Sequence, residues 1–146
     1  MPDIIFGVTS VTEQPQRDGT KSVLKKGRLK WEAHKLDSPA WCGGFKLGAI
    51  PKGSYEVHGN GFQDRPEGHP HYSPEYCDKD QKNCWFHWID TRHVTEPARS
   101  DIGFHPDFDR NGTFGCIGIK DDNTSAWRLA LKDLKDKDLL ILEVTK

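Results

Sequence analysis

Long apolar runs are missing from this sequence. No window approaches the roughly 18 consecutive apolar residues that a membrane-crossing helix needs, so no membrane span is expected. There is no surplus of one charge either. The 21 basic and 22 acidic side chains leave a net charge of -1, with both signs spread along the chain. A nucleic-acid binder would show a basic face, and an anionic membrane would call for a polybasic stretch; the sequence offers neither. The start, Met1-Pro-Asp-Ile-Ile-Phe, lacks the basic and long apolar segments of a secretory leader. Synthesis in the cytoplasm is therefore expected, followed by delivery along another route or loss of a leader. Cysteine is scarce: four in 146 residues are too few to build a disulfide scaffold. Repeats, linkers and low-complexity tracts are absent too, and one domain is expected over residues 1–146.

Aromatic residues supply what the aliphatics do not. The hydrophobic fraction is only 34%, but five Trp and seven Phe are available for a core. Each contributes about 1.5–3 kcal/mol when fully buried. Strands are expected at Ile4–Thr9, Leu29–Leu36, Ser54–His58, Cys84–Asp90, Ile102–His105, Cys116–Ile119 and Leu139–Val144, from alternation or short apolar runs. Residues 10–19 read as a polar turn region and residues 37–53 as a Gly- and Pro-rich loop. Residues 59–83 read as a long irregular stretch of the kind that carries or covers a function. One helix stands out, capped by Asn123 or Thr124, with Trp127, Ala130, Leu131 and Leu134 on one face. The fold class is mainly β, a β-rich α+β arrangement with one short helix in the C-terminal half.

The chemistry concentrates in His105-Pro-Asp-Phe-Asp-Arg-Asn-Gly-Thr-Phe-Gly-Cys116-Ile-Gly. Thiolate is the reactive form of cysteine, and imidazole can take the thiol proton near neutral pH. Gly112 and Gly115 allow a tight turn that aims backbone N–H groups at a developing oxyanion. If Cys116 is a free nucleophile, one of Cys42, Cys77 and Cys84 is also unpaired. Cys77 and Cys84 bracket a polar loop that a short disulfide would rigidify.

The pattern His…Thr113-Phe-Gly-Cys116-Ile resembles the active-site signature of L,D-transpeptidase (YkuD-like) catalytic domains. Gly48-Ala-Ile-Pro-Lys-Gly-Ser-Tyr55 is similar to the Pro-x-Gly-x-Tyr strand entry of that family, and Ile102-Gly-Phe-His105-Pro to its Ile-His-Gly strand end. These segments occur in the family's order over the C-terminal two-thirds of the chain, and are most similar to the compact toxin and phage members. The resemblance implies a β-sandwich of mixed sheets, Cys116 as nucleophile and His105 as base. It also implies an oxyanion hole from the Gly115 and Cys116 N–H groups. Thr113 would shape the turn or touch substrate. The imidazole would be oriented by a backbone carbonyl or a nearby side chain, with Asp107 a candidate.

Three positions depart from the family pattern: Phe114 replaces a histidine, Gly118 replaces an Arg or Asn, and the His105–Cys116 spacing is short. The substrate-carboxylate anchor is then open among Arg99, Arg92 and Arg110, with His58 a further candidate for lining the cleft. Two metal readings compete. Asp107-Phe-Asp109-Arg-Asn111-Gly112 matches the first half of a calcium loop, but its twelfth position is Gly118 where a Glu is needed. His69, His71, Cys77, Cys84 and His87 could ligate zinc, although their spacings fit no common finger. A polar turn is the simpler reading of the first set and an irregular loop of the second, so no metal or other cofactor is expected. Trp85, Phe86 and Trp88 read as core before sugar platform.

The expected function is cysteine-dependent acyl transfer on peptidoglycan stem peptides, as L,D-carboxypeptidase, L,D-transpeptidase or D-amino acid exchange. The setting implied by the resemblance is the bacterial cell envelope, for a delivered antibacterial toxin or phage lysis factor. A cognate immunity protein or a secretion carrier would be further partners. The alternative is a non-catalytic, calcium-stabilised binding module on the same fold.

Overall fold

In the computed structural model, which describes residues 1–95, 97–107 and 112–146, the chain is mainly β with one α-helix among the described residues. The strands are β1 (Ile4–Pro15), β2 (Lys21–Trp31), β3 (Leu36–Gly43), β4 (Gly53–His58), β5 (Phe62–Asp64), β6 (Trp85–Trp88), β7 (Gly103–Pro106), β8 (Ile117–Ile119) and β9 (Leu139–Val144). They form one mixed sheet in the order β4-β9-β1-β2-β3-β8-β7-β6-β5. The sheet curls until its two ends meet. An antiparallel bridge joins Glu56 on β4 to Asp90 just beyond β6, with the Asp90 N–H donating to the Glu56 carbonyl at 2.9 Å.

The concave side carries the core. Phe6, Leu29, Trp31, Trp85, Phe104 and Ile117 are nearly or fully buried there. Helix α1 (Thr124–Lys132) covers this core because Trp127, Ala130 and Leu131 share one face at spacings of three and four. Trp127 lies 6.2 Å from Trp31, and its buried indole N–H donates to Ser38 Oγ at 3.0 Å, so the large ring leaves no polar atom unpaired. Arg128 fixes the helix to β5 through two parallel bonds to Asp64, each 2.8 Å.

Most expected elements are present, and the differences have local causes. The strand expected at Leu29–Leu36 is the junction of two. The chain reverses through a short helical turn at Glu32–His34, closed by Lys35 at φ 55°, and Trp31 then faces Leu36 across a hairpin. The alternation continued through the turn because the two strand ends bury the same face. The first strand runs on to Pro15, past the expected end at Thr9. Beyond Val8 it is a half-exposed ribbon against β2, so polar residues replace the alternation. Residues 37–43, expected as loop, form most of β3. Pro39 is tolerated there because it lies outside the Ala40–Cys42 stretch that pairs with β8.

The irregular stretch 59–83 holds the three-residue strand β5, two short helical turns and one staple. Cys77 and Cys84 form a disulfide, which removes both from the zinc reading, and Cys42 remains free with Cys116. This bridge closes a loop of seven residues in sequence separation, which stabilises by about 2.5 kcal/mol in the chain-entropy account. The Cys77→Ala/Cys84→Ala double variant should therefore melt roughly 5–10 °C lower than wild type by calorimetry. An unchanged Tm would mean that the staple constrains nothing the folded loop does not already fix.

Candidate active site

Strand pairing decides where the two reactive residues stand. β7 runs parallel to β8 with Phe104 opposite Ile117 and His105 opposite Gly118. Side chains alternate across a sheet, so Phe104 and Ile117 enter the core while His105 and Cys116 share the opposite face as diagonal neighbours. Such neighbours have Cα atoms about 7–8 Å apart, within reach of one side-chain rotation. Both line a cleft of about 840 Å³ whose rim includes Leu47, Tyr76, Arg99 and Phe114.

The imidazole is held from two directions. Tyr76 packs on it at 4.3 Å between ring centroids, and Phe86 lies nearly parallel to it at 6.4 Å. Its Nδ1 lies 2.7 Å from the Pro106 carbonyl oxygen. A carbonyl can only accept, so Nδ1 carries the hydrogen and Nε2 presents its lone pair. That Nε2 is buried and has no hydrogen-bond partner among the described residues. Burial pushes the His105 pKa down to about 4, against the pull of the Pro106 bond, with the Arg65 and Lys120 charges adding to the depression.

The thiol is equally neutral at rest. Burial pushes Cys116 up to about 12, with the Gly103 N–H pulling the other way. Its Sγ donates to the Asp101 carbonyl at 3.3 Å and is not directed at His105. Cys116 and His105 are therefore a poised neutral pair, not a resting ion pair. Rotation of the thiol away from Asp101 would be needed to meet the bare Nε2.

The turn before Cys116 is organised by one hydroxyl. Thr113 Oγ1 donates to the Cys116 carbonyl at 2.6 Å and accepts from the Gly115 N–H at 3.1 Å and the Gly43 N–H at 3.0 Å. One donor and two acceptors exhaust a hydroxyl, so Thr113 shapes the turn and has nothing left for substrate. The same bonds correct the expected oxyanion hole: the Gly115 N–H is already taken. Gly112 N-terminal to the turn is buried against Gly43, and the Thr113 N–H donates to the Gly43 carbonyl at 2.7 Å. Gly115 sits at φ +136°, and a Cβ there would come within 2.3 Å of Arg99 Nη2.

Among the described residues, Arg99 is the expected anchor brought to the cleft, but its guanidinium is engaged. Nη2 donates to the Gly48 and Phe114 carbonyls at 2.8 and 2.7 Å, strapping the 48–49 segment to the turn before Cys116. Arg92 and His58 lie elsewhere, in an adjoining hollow, with Arg92 clamped on Asp90 at 2.6 Å. Arg110, Asp109 and Asn111 lie outside the described residues.

Asp107 is also corrected. The Pro106 carbonyl, not Asp107, orients the imidazole. Asp107 lines the cleft, but its carboxylate is fully buried, 3.7 Å from Lys120 Nζ. It occupies the space over Gly118: a Cβ on that glycine would lie 2.5 Å from Asp107 Cβ. A side chain at 118, such as the family's Arg or Asn, has no room beside this aspartate.

Three contributors escaped sequence reasoning. Arg65, buried over Phe86 at 4.3 Å and Trp88 at 5.1 Å, places a positive charge near both His105 and Cys116. Tyr76 packs on the imidazole, and the Asp101 carbonyl holds the thiol. Arg65 and Tyr76 come from the irregular stretch and Asp101 from the loop before β7, where periodicity says nothing; the nearby disulfide was the one available hint for Tyr76. Trp85 is core, as expected, whereas Phe86 and half-exposed Trp88 lie on the cleft side of the sheet. No family model, curated protein or solved structure matches this chain.

The buried imidazoles make stability depend on pH in a defined direction. His87, whose Nε2 donates to the His58 carbonyl, is likewise pushed down to about 4 by burial. Below about pH 6.5 the unfolded chain binds a proton on each ring, while the folded chain does so only near pH 4. Unfolding therefore takes up protons in this window, and stability falls as pH drops through it. His87→Gln and His105→Gln should each flatten the pH dependence of the urea midpoint between pH 6.5 and 4. A slope untouched by either variant would contradict the burial account.

Proposed function

We propose that this protein is a cysteine acyltransferase or peptidase of the L,D-transpeptidase type, acting on peptidoglycan stem peptides through a thioester. The observation that carries the reading is the His105 ring: its Nδ1 hydrogen is committed to Pro106, and its bare Nε2 lies on the same sheet face as the Cys116 thiol. An unpartnered buried polar atom costs about 1–3 kcal/mol, a burden that a resting proton acceptor explains. The cleft lies within the size range of small-ligand sites and admits a short peptide.

In the proposed reaction, substrate entry turns Cys116 towards His105. The thiol proton passes to Nε2 as Sγ attacks the carbonyl carbon of the amide between the L-centre and the following D-residue. The C–N bond breaks, the departing amine takes the proton from His105, and a thioester remains on Cys116. Water or an acceptor amine then attacks the thioester, loses its proton to Nε2, and restores the thiol as the product leaves. Water gives L,D-carboxypeptidase activity, and an amine gives cross-linking or D-amino acid exchange. The Arg99 charge favours the thiolate as it forms, while the buried Arg65 charge, near both groups, favours the thiolate and disfavours the imidazolium.

Incubation with purified sacculi, followed by muropeptide analysis, tests this directly. Wild type should trim tetrapeptides to tripeptides or exchange their terminal residue, and Cys116→Ala should do neither while keeping its circular dichroism. His105→Gln should lose about 10²–10⁴-fold in rate. Trimming that persists in Cys116→Ala would sink the proposal.

A further inference from the structure

A second constellation lies where the curled sheet closes. Glu56 and His58 alternate along β4 and so point to the same face, while Val57 between them enters the core. The backbone bridge from Asp90 to Glu56 brings a second carboxylate to that face from the other end of the sheet. His58 Nε2 lies 3.3 Å from Asp90 Oδ2 and 3.5 Å from Glu56 Oε1, and all three ligand atoms fall within 4.8 Å of one another. His93 Nε2 stands 4.0 Å from Glu56 Oε1 on an exposed side chain.

The two separations from His58 to the carboxylates are those of ligands around one small cation, and the three atoms lie close enough to converge on one after small side-chain rotations. Nitrogen and oxygen ligands about 2.0–2.2 Å from a tetrahedral zinc ion are separated from each other by about 3.3–3.5 Å. The donor set fits as well: imidazole selects first-row divalent metals over calcium or magnesium, and two carboxylates match the charge. We propose that Glu56, His58 and Asp90, joined by His93 after a small rotation, bind a zinc-class divalent cation across the seam of the sheet. The inference does not depend on the chemistry of Cys116.

Arg92 is the competitor. Its backbone N–H and guanidinium both bond Asp90, with Nη2 2.6 Å from Oδ2, and they hold that carboxylate well below the usual range. The guanidinium is a positive charge sitting where the ion would, on a long and largely exposed side chain that can swing into solvent. An ion here would join β4 to the segment after β6. It would also sit in the hollow that shares Arg99, Ser100 and Asp101 with the cysteine cleft.

Calorimetric titration and thermal melting of the whole protein with zinc chloride test the site, with cobalt absorption as a check on coordination. The expected result is one ion per chain, a Tm raised by several degrees and a four-coordinate cobalt spectrum without sulfur-to-metal charge transfer. His58→Ala and Glu56→Gln should each weaken binding at least tenfold while melting normally without metal, and Arg92→Ala should tighten it. Absence of saturable binding would overturn the proposal. So would binding that survives both His58→Ala and Glu56→Gln, or that is lost in His69→Ala.

Discussion

The parallel pairing of β7 with β8 is the constraint on which the rest depends. Register alone places His105 opposite Gly118 and thereby puts Cys116 on the same face, away from the core. A slip of one residue would turn either group into the apolar interior, where Phe104 and Ile117 now pack. The core therefore sets the site's geometry: burying the two apolar residues fixes the two reactive ones. Gly118 belongs to this arrangement, since its missing side chain leaves room for the buried Asp107 carboxylate beside Lys120.

Around that pairing, polar groups are spent on order. Thr113 commits its whole hydroxyl to the turn, and Arg99 commits one guanidinium nitrogen to two carbonyls. Pro106 fixes the tautomer of the imidazole. Neither reactive group is charged at rest, because burial raises the thiol to about 12 and lowers the imidazole to about 4. The consequence is a site that holds its proton until something displaces the thiol from Asp101.

Much of this was legible in the sequence, for identifiable reasons. Helix α1 announced itself through Trp127, Ala130 and Leu131, and β4, β7, β8 and β9 through alternation or short apolar runs, since each buries at least one face. Cys116 and His105 stood out because a candidate nucleophile and a candidate base flank a glycine turn. The arm of β1 did not show because it is a solvated ribbon, and β3 because its inward residues Leu36, Ser38, Ala40 and Cys42 include a polar serine and alternate with Pro39 and Trp41. Arg92 and His58 were weighed for the cleft from residue type and sequence position, and the structure places both in the adjoining hollow, whereas Asp107 lines the cleft with its carboxylate buried beside Lys120. The seam of the sheet was invisible for a related reason: Glu56 and Asp90 are neighbours only through long-range curvature.

The central claim is that His105 is a fixed, neutral base with its lone pair on Nε2. Nitrogen NMR of the histidine rings, titrated from pH 7.5 to about pH 4, reads this directly. The account predicts a His105 ring with hydrogen on Nδ1 and a bare Nε2 throughout, gaining a second proton only near the acid end. A hydrogen on Nε2 at neutral pH, or protonation of the ring near pH 6.5, would contradict it.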